Sequence, residues 1–245
     1  MSGRPLVVVD LFPSLLQPEG DHGNVVALAH RAGRRGLAAD VLVVHPGQEL
    51  PVADLYCLGG SEDEDAAMCG RLLAADARLR TAVENGAVVL GVGAGFAVLG
   101  GTFVDARGRT REGAGLLDVE VGVDDLASGP VVTRPNDALG LPALSGYEYH
   151  RGRAVLGPAA AALAELEVGV GNGADGGVAH DGAVQGRVVG SWMHGPVLPR
   201  NPGLTDLLLG WAAGDRLLRP VAPEEDDLAT SVRERRMGEA RRPTG

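Results

Sequence analysis

Short apolar runs alternate with longer amphipathic stretches over the first hundred residues. The runs at 6–10, 39–44, 54–58 and 87–90 have the length and composition of buried strands. Residues 23–35 and 65–85 place apolar side chains at helical spacing, and Gly86 follows the second stretch as a left-handed cap would. Strands that alternate with helices predict a mostly parallel sheet covered by helices on both faces.

The pattern changes in the second half of the chain. Short β-like runs at 117–123, 131–133 and 188–189 are separated by Gly and Asn, and predict antiparallel strands added to the same domain. Residues 201–218 read as a last helix. A charged segment follows, with a short helix expected at 227–242. We therefore predict one domain over 1–219 and a charged C-terminal tail over 220–245.

Composition narrows the classes of function. The 245 residues carry a formal net charge of −10 and no lysine, which argues against sequence-independent nucleic-acid binding. No apolar run approaches the roughly 20 residues of a membrane span, and the N-terminus lacks the pattern of a signal peptide. Cys57 and Cys69 have no metal-like spacing, nor have the histidines. We expect a cytoplasmic protein with no metal and no cofactor.

The sharpest local feature is a glycine-rich turn after the most apolar strand. It reads Gly91-Val92-Gly93-Ala94-Gly95. A buried strand followed by Gly-x-nucleophile-x-Gly is the layout of a nucleophile elbow. Here Gly93 occupies the nucleophile position. Taken alone, the pattern also fits a phosphate-binding loop or a tight strand-to-helix turn.

Five motifs in order identify a family resemblance over about residues 6–211. They are Asp10-Leu11-Phe12-Pro13 with Gly20-Asp21-His22-Gly23-Asn24; Leu58-Gly59-Gly60-Ser61-Glu62-Asp63; the elbow; Gly146-Tyr147-Glu148-Tyr149-His150-Arg151-Gly152-Arg153; and Gly171-Asn172 with Met193-His194-Gly195-Pro196 through Asn201-Pro202. The chain resembles the small, amidotransferase subunit of lipid II isoglutaminyl synthase, of the cobyric-acid-synthase type of class I glutamine amidotransferases. The resemblance implies a flavodoxin-like α/β fold with a mostly parallel central sheet.

The resemblance also implies roles for individual residues. In the family an elbow cysteine attacks the glutamine side-chain amide, and the histidine of the His-Gly-Pro motif is its base. Carried over, the base is His194 and the nucleophile is missing at Gly93. Backbone amides of Gly59, Gly60 and Ala94 would form the oxyanion hole. Phe96 and Ser61 are further candidate binding residues.

Other positions depart from the family pattern as well. The family has Gln where this chain has Glu62 and Ala97, and an arginine associated with holding glutamine where it has Leu126. Cys57, expected to face the core, and Ser61 are the candidate substitute nucleophiles. His194 is read equally as a structural remnant or as a working ligand contact.

Three functions follow from these features. The first is a subunit that has lost glutaminase activity and partners a Mur-ligase-like, ATP-dependent amide-forming enzyme, as a heterodimer in cell-wall or secondary metabolism. The second is an enzyme whose emptied pocket takes another small amide or amine. The third is glutamine hydrolysis through a non-standard nucleophile. The chain has no Gly-x-x-x-x-Gly-Lys-Ser/Thr motif, which is why the ATP chemistry is assigned to a partner.

Overall fold

The computed structural model describes residues 4–16, 20–173, 177–214 and 223–241. Its strands are β1 (Leu6–Leu11), β2 (Ala39–Val44), β3 (Leu55–Leu58), β4 (Val88–Val92), β5 (Thr102–Val104), β6 (Thr110–Glu112), β7 (Val119–Thr133), β8 (Ser145–Leu156), β9 (Ala164–Val168), β10 (His180–Asp181), β11 (Ala183–Gln185) and β12 (Val188–Ser191). Its helices are α1 (Pro13–Leu16), α2 (His22–Arg34), α3 (Asp63–Ala75), α4 (Arg78–Glu84), α5 (Ala94–Leu99), α6 (Pro202–Ala213) and α7 (Pro223–Ala240).

The central sheet has the strand order β11-β12-β4-β3-β1-β2. Neighbours from β12 to β2 are parallel, and only the edge pair β11–β12 is antiparallel. Every residue of β3 and β4 is buried, which explains why these strands are almost uninterrupted apolar runs. The predicted mostly parallel α/β sheet is confirmed. The run at 188–189, expected as an added antiparallel strand, is antiparallel only to β11, because on its other side β12 extends the parallel sheet beside β4.

The long helix expected over 65–85 is in fact two helices. The chain leaves helical geometry at Asp76 (φ −111°, ψ 105°), and α4 starts two residues later. The Asp76 carboxylate accepts the backbone N–H of Arg78 at 3.0 Å, a local bond that competes with helix continuation. The expected last helix ends at Gly214, which has φ +58°; the remainder of that prediction lies outside the described residues.

A second sheet lies beside the central one and includes a long ribbon. Its order is β10-β9-β7-β5-β6, with β8 paired antiparallel to β7. Strand β7 joins the runs predicted at 117–123 and 131–133 into one strand of 15 residues, and no strand was predicted over β8. The register shifts between Val123 and Ala127. Residues 124–126 of β7 therefore lie opposite the single residue Arg151 of β8. Such a bulge bends a ribbon and redirects its side chains.

The C-terminal segment contributes a helix that packs on the domain. Helix α7 starts four residues before the predicted helix. Arg31 of α2 joins Asp206 of α6 to Asp226 of α7, and Arg241 pairs with Glu167 at 2.7 Å. Residues 220–222 and 242–245 of the predicted tail lie outside the described residues. No helix in the described part of the chain is long and apolar enough to cross a membrane.

Candidate functional site

Gly93 has the backbone geometry of a nucleophile elbow. It lies between β4 and α5 with φ +56° and ψ −123°, a conformation that strains any residue with a side chain. Its N–H donates to Ser191 O at 2.9 Å, so the turn is tied to the end of β12. Gly95 is needed for a different reason, since a Cβ there would lie 2.7 Å from the carbonyl oxygen of Leu58. The backbone of this turn therefore has the geometry of an elbow, and the residue at its apex, Gly93, has no side chain.

Space for a side chain remains at Gly93. A Cβ built there would contact only the Cα of Gly60, at 3.4 Å, which is ordinary van der Waals distance. The turn therefore leaves room for a side chain at position 93, and no described atom fills that space.

Asp21 holds together the two loops that the sequence assigns to the site. Its Oδ2 accepts the N–H of Gly60 at 2.8 Å, and its Oδ1 accepts the N–H of Gly195 at 3.2 Å. Asp21 is buried and directly precedes α2. The Gly60 amide, an expected oxyanion donor, is therefore engaged by a carboxylate. The sequence motif contained Asp21, but its role as a tether was not predicted.

His194 reaches the same edge of the sheet as the elbow. It follows β12 by three residues, and Ser191 of β12 pairs with Val92 of β4 in register. Its backbone N–H donates to Tyr147 O at 3.0 Å, and its side chain is buried. Leu198 N–H donates to the amide oxygen of Asn24 at 2.9 Å, which fixes the loop downstream.

A cavity of about 300 Å³ opens beside the elbow. Four of the predicted site residues contribute to its wall: Gly60, Ser61, Gly93 and Ala94. The rest of the wall includes residues from the ribbon, from α5 and from the turn after β12, among them Leu126, Tyr149, His150, Arg151, Gly152 and Trp192. Gly59, Phe96 and His194 are not part of this wall. The ribbon residues could not be placed here from sequence, because their position depends on the β7 bulge.

Phe96 supports the cavity wall from behind. It is completely buried, and its ring meets Trp192 edge to face at a centroid distance of 5.0 Å. Trp192, and not Phe96, lines the cavity, so a role of Phe96 in direct ligand contact stays a prediction. Gly190 makes this packing possible, since a Cβ there would lie 2.0 Å from the Phe96 ring.

His150 is fixed by contacts on its faces and edges. Its ring stacks on Trp192 at 4.1 Å and 9°. Nδ1 lies 3.0 Å from Gly152 O, and Nε2 lies 3.3 Å from the Glu148 carboxylate. Each ring nitrogen therefore lies within hydrogen-bond distance of an oxygen atom, which fixes the orientation of the ring.

Two buried carboxylates beneath this wall have opposite pKa shifts. Burial acts to raise the pKa of Glu148, but hydrogen bonds from His150 and the amides of Gly171 and Val170 hold it below its usual range. Burial raises the pKa of Asp181 to about 6, despite hydrogen bonds from Ser191 and the Trp192 amide. The network beneath the cavity is therefore sensitive to mild acid.

The alternative nucleophiles are poorly suited to attack. Burial, with a further contribution from Asp10, raises the pKa of the Cys57 thiol well above its ordinary value. Burial has the same effect on Cys69. Cys57 faces the core, as predicted. Ser61 lines the cavity, but its hydroxyl donates to Glu62 O at 3.2 Å, and no base contacts it among the described residues. In that same part of the chain no three His, Cys, Asp or Glu side chains are arranged to hold a metal ion.

Comparisons with known proteins agree with the fold and with the motifs. The chain is 27% identical to lipid II isoglutaminyl synthase (glutamine-hydrolyzing) subunit GatD of Staphylococcus aureus, over 93% of this chain and 92% of that one. It is 26% identical to the GatD subunit of Streptococcus pneumoniae, over 81% and 77%. The structure of PurLQS from Thermotoga maritima has the same fold, with a TM-score of 0.59 at 15% identity over 85% of this chain and 99% of that one. The CobB/CobQ-like glutamine amidotransferase domain matches residues 22–202. The chain therefore belongs to the CobB/CobQ-like glutamine amidotransferase family.

Proposed function

We propose that this chain is an amidotransferase-like subunit that no longer hydrolyses glutamine. It acts as a structural or regulatory partner of a Mur-ligase-like, ATP-dependent amide-forming enzyme. The observation that carries the proposal is Gly93, which keeps the strained elbow backbone and lacks a nucleophilic side chain. The acceptor substrate is a cell-wall precursor of the lipid II type or an amino-acid-like acid of secondary metabolism.

The size of the expected rate loss supports this proposal. Removing the nucleophile of a well-characterised serine protease costs on the order of 10⁶ in kcat. Transition-state stabilisation by oxyanion amides alone would leave too little activity for a pathway. The Gly60 amide is also engaged by Asp21, which reduces even that contribution.

A substitute nucleophile would need both access and activation. Cys57 and Cys69 are buried, with pKa values raised by burial, so neither supplies an accessible thiolate. Ser61 has access to the cavity without an adjacent base among the described residues. Glutamine hydrolysis through these residues is therefore the weakest of the three functions.

Two observations support a subunit role. The relatives that match over most of the chain are named as subunits of lipid II isoglutaminyl synthase. The chain also has no Walker-type phosphate loop, which favours assigning an ATP-dependent step to a second protein. In such a pair the partner would use free ammonia, or another amine, in place of ammonia released from glutamine.

A rewired enzyme is the second candidate. The observation that favours it is the cavity itself, which Gly93 enlarges and which Glu62 and Arg151 supply with charge. This function differs from the first in requiring turnover of a ligand, whereas the first requires only the docking surface and the fold.

The proposal is tested with the complex purified from its own cells. Amide formation would be measured with ATP and acceptor, supplying either an ammonium salt or L-glutamine, with the subunit present or removed. We expect product with ammonium only, and less ligase activity or stability when the subunit is removed. A Gly93→Ala complex, which adds a side chain but no nucleophile, should likewise give no product from glutamine. Product from glutamine alone would overturn the proposal.

A further inference from the structure

The central sheet ends in a strand whose outer edge is open. Among the residues that the structure describes, β2 is the last strand of the sheet and pairs only with β1. Three consecutive residues of β2 are apolar and exposed, Val41 and Leu42 to 40% and Val43 to 45%. Soluble proteins usually protect a sheet edge with charged side chains, proline or a covering segment. An open, apolar edge is therefore suited to pairing with a strand of another chain.

The backbone groups of β2 point to this edge at alternate residues. The carbonyls of Ala38 and Val44 accept N–H groups at the two ends of β1, both at 2.8 Å. In a parallel pair, alternate residues direct both of their backbone groups to the neighbouring strand, and the residues between them direct theirs away from it. The even-numbered residues of β2 therefore bond to β1, and Val41 and Val43 present their N–H and C=O groups at the open edge.

A second copy of the same strand can satisfy these groups. Two β2 edges related by a two-fold axis perpendicular to the sheet are antiparallel, and residues directly opposite each other lie on the same face. With the axis at Leu42, Val41 lies opposite Val43 of the second copy, and each such pair exchanges two hydrogen bonds. Leu42 then meets its own copy at the closest Cα spacing, about 4.5 Å. Asp40, the one charged residue of β2, lies opposite Val44, so no like charges oppose each other along the strand.

Helix α2 adds a second layer beside the same edge. It packs over β1 and β2, on the face of the sheet that carries Val41 and Val43. Arg35 marks the side of the helix that faces α6, because it pairs with Asp206. Val26 is 53% exposed and precedes Arg35 by nine residues, or two and a half helical turns, so it lies on the opposite side, toward the open edge. Across the two-fold axis the two α2 helices would be two strand spacings apart, about 10 Å, which is the distance at which helices pack.

Val26 also lies close to the level of the axis. His22 at the start of α2 contacts Asp10 at 2.7 Å, and Asp10 pairs in register with Val43. The helix returns along the strand, and four residues of helix cover roughly the same 6 Å as two residues of strand, so Val26 lies at the level of Val41. A stable interface buries about 1,200 Å² or more, which a strand of six residues does not supply alone. The helix layer increases the apolar area of the contact.

We propose that two copies of this chain associate through their β2 edges, so that the two six-stranded central sheets form one continuous sheet. Leu42 lies at the two-fold axis, Val41 and Val43 form the hydrogen bonds between the copies, and the two α2 helices pack side by side. The strand β2 is three strands away from β4, where the elbow and its cavity lie, so this contact leaves the cavity open. An assembly with a ligase would therefore contain two copies of each protein. The association does not depend on whether the chain hydrolyses glutamine.

The oligomeric state of the full-length chain tests the proposal. Sedimentation equilibrium should show a dimer that dissociates on dilution. Leu42→Lys would place two ammonium groups at the axis in place of an apolar pair, and should raise the dissociation constant of the dimer by at least about 10-fold. Val52→Lys is the matched control, because Val52 is 93% exposed and lies outside β2, and it should leave the constant unchanged. Both variants should keep the circular dichroism spectrum of the natural chain.

A cysteine at the axis tests the register. Leu42→Cys should give a disulfide-linked dimer under mild oxidation, because two opposed residues with Cα atoms about 4.5 Å apart are within disulfide range. Asp40→Cys is the control on the same strand, since it would lie opposite Val44 and should form far less of the linked dimer. The natural cysteines, Cys57 and Cys69, are buried and should not contribute.

Several results would overturn the inference. A natural chain that stays monomeric up to its solubility limit, both alone and in complex with its ligase, would exclude the association. A dimer that Leu42→Lys and Val52→Lys weaken equally would show that the contact lies elsewhere. Equal cross-linking of Asp40→Cys and Leu42→Cys would contradict the register. If the natural chain is monomeric and Leu42→Lys loses its ligase, the edge belongs to the ligase interface, and the proposed self-association is wrong.

Discussion

The carboxylate of Asp21 accepts the backbone N–H of Gly60 at 2.8 Å. The other oxygen of the same carboxylate accepts the N–H of Gly195, so one buried side chain connects the loop after β3 with the loop after β12. These two loops flank the elbow from neighbouring strands. The position of these two loops is therefore fixed by Asp21 and does not depend on a side chain at position 93.

Replacing Asp21 should destabilise the chain more than its single negative charge suggests. Asp21→Ala leaves two backbone N–H groups without their acceptor, and we expect a loss of about 2–4 kcal/mol in the free energy of unfolding. Asp21→Asn, which keeps one acceptor oxygen, should lose less. Urea denaturation measures both. Asp63→Ala is the matched control, since it removes one exposed bond to Ala106 and should cost about 1 kcal/mol or less. Equal losses in the two alanine variants would show that Asp21 is not a tether.

Asp181 should make stability fall as the pH rises from about 4 to about 6. Its pKa is raised from 3.8 to about 6, so the folded chain holds a proton there that the unfolded chain releases. The contribution of Asp181 to the free energy of unfolding is fully present below pH 3.8 and is lost as the pH rises through about 6. The change is roughly 3 kcal/mol. Glu148 acts in the opposite direction, losing stability as acid lowers the pH through its depressed pKa.

Urea midpoints at pH 4.5 and 7 for the natural chain and Asp181→Asn isolate this effect. Asparagine keeps one oxygen that can accept the Trp192 N–H, its NH2 group can donate to the Ser191 hydroxyl oxygen, and it does not titrate. The free energy of unfolding of the variant, minus that of the natural chain, should be larger at pH 7 than at pH 4.5. A difference between the two proteins that does not change with pH would contradict the assignment.

The thiols provide a direct test of the cavity geometry. Cys57 and Cys69 are buried, so the folded natural chain should react with iodoacetamide far more slowly than the urea-unfolded chain. Gly93→Cys should add one thiol that reacts rapidly, because a Cβ at this position contacts only Gly60 and opens to the cavity. Mass spectrometry would locate the label. Rapid labelling of Cys57 in the natural chain would show that its thiol is accessible and would make Cys57 a candidate nucleophile again.

The ion pairs of Arg31 should keep α7 on the domain. Arg31 bonds to Asp206 of α6 and to Asp226 of α7, and these contacts raise its pKa further above its ordinary value. Arg31→Met should therefore speed trypsin cleavage within 223–241. Arg80→Met is the control, because Arg80 donates to the carbonyls of Ala114 and Gly115, on residues distant in sequence from α7. Cleavage of α7 at the same rate in both variants would contradict this role.

Local sequence signals predicted the strands β1 to β4 and the glycine-rich turn after β4, but no run was predicted over β5, β6 or β8 to β11. The residues of β3 and β4 form continuous apolar runs, and the glycines around Gly93 mark a turn that only small residues can make. These features depend on a few neighbouring residues. The helix break at Asp76 is also local, but it depends on one side-chain bond to Arg78 that competes with a strong helical pattern.

The cavity wall could not be predicted in the same way. Arg151 and Leu126 meet there because a bulge shifts the register of two strands. Phe96 was expected at the wall, but packing against Gly190 and Trp192 places it in the core. The parallel pairing of β12 likewise depends on its distant neighbour β4. Tertiary pairing, which periodicity does not encode, decides each of these positions.

Ammonia release from L-glutamine tests the central claim most directly. It would be measured for the chain in complex with the ligase from its own cells, beside the same complex carrying Gly93→Cys, and Gly93→Cys with His194→Ala. The account predicts no release above background from the natural complex, release from the Gly93→Cys complex, and loss of that release when His194 is also replaced. Release from the natural complex at a rate comparable to that of Gly93→Cys would contradict the claim that the chain no longer hydrolyses glutamine.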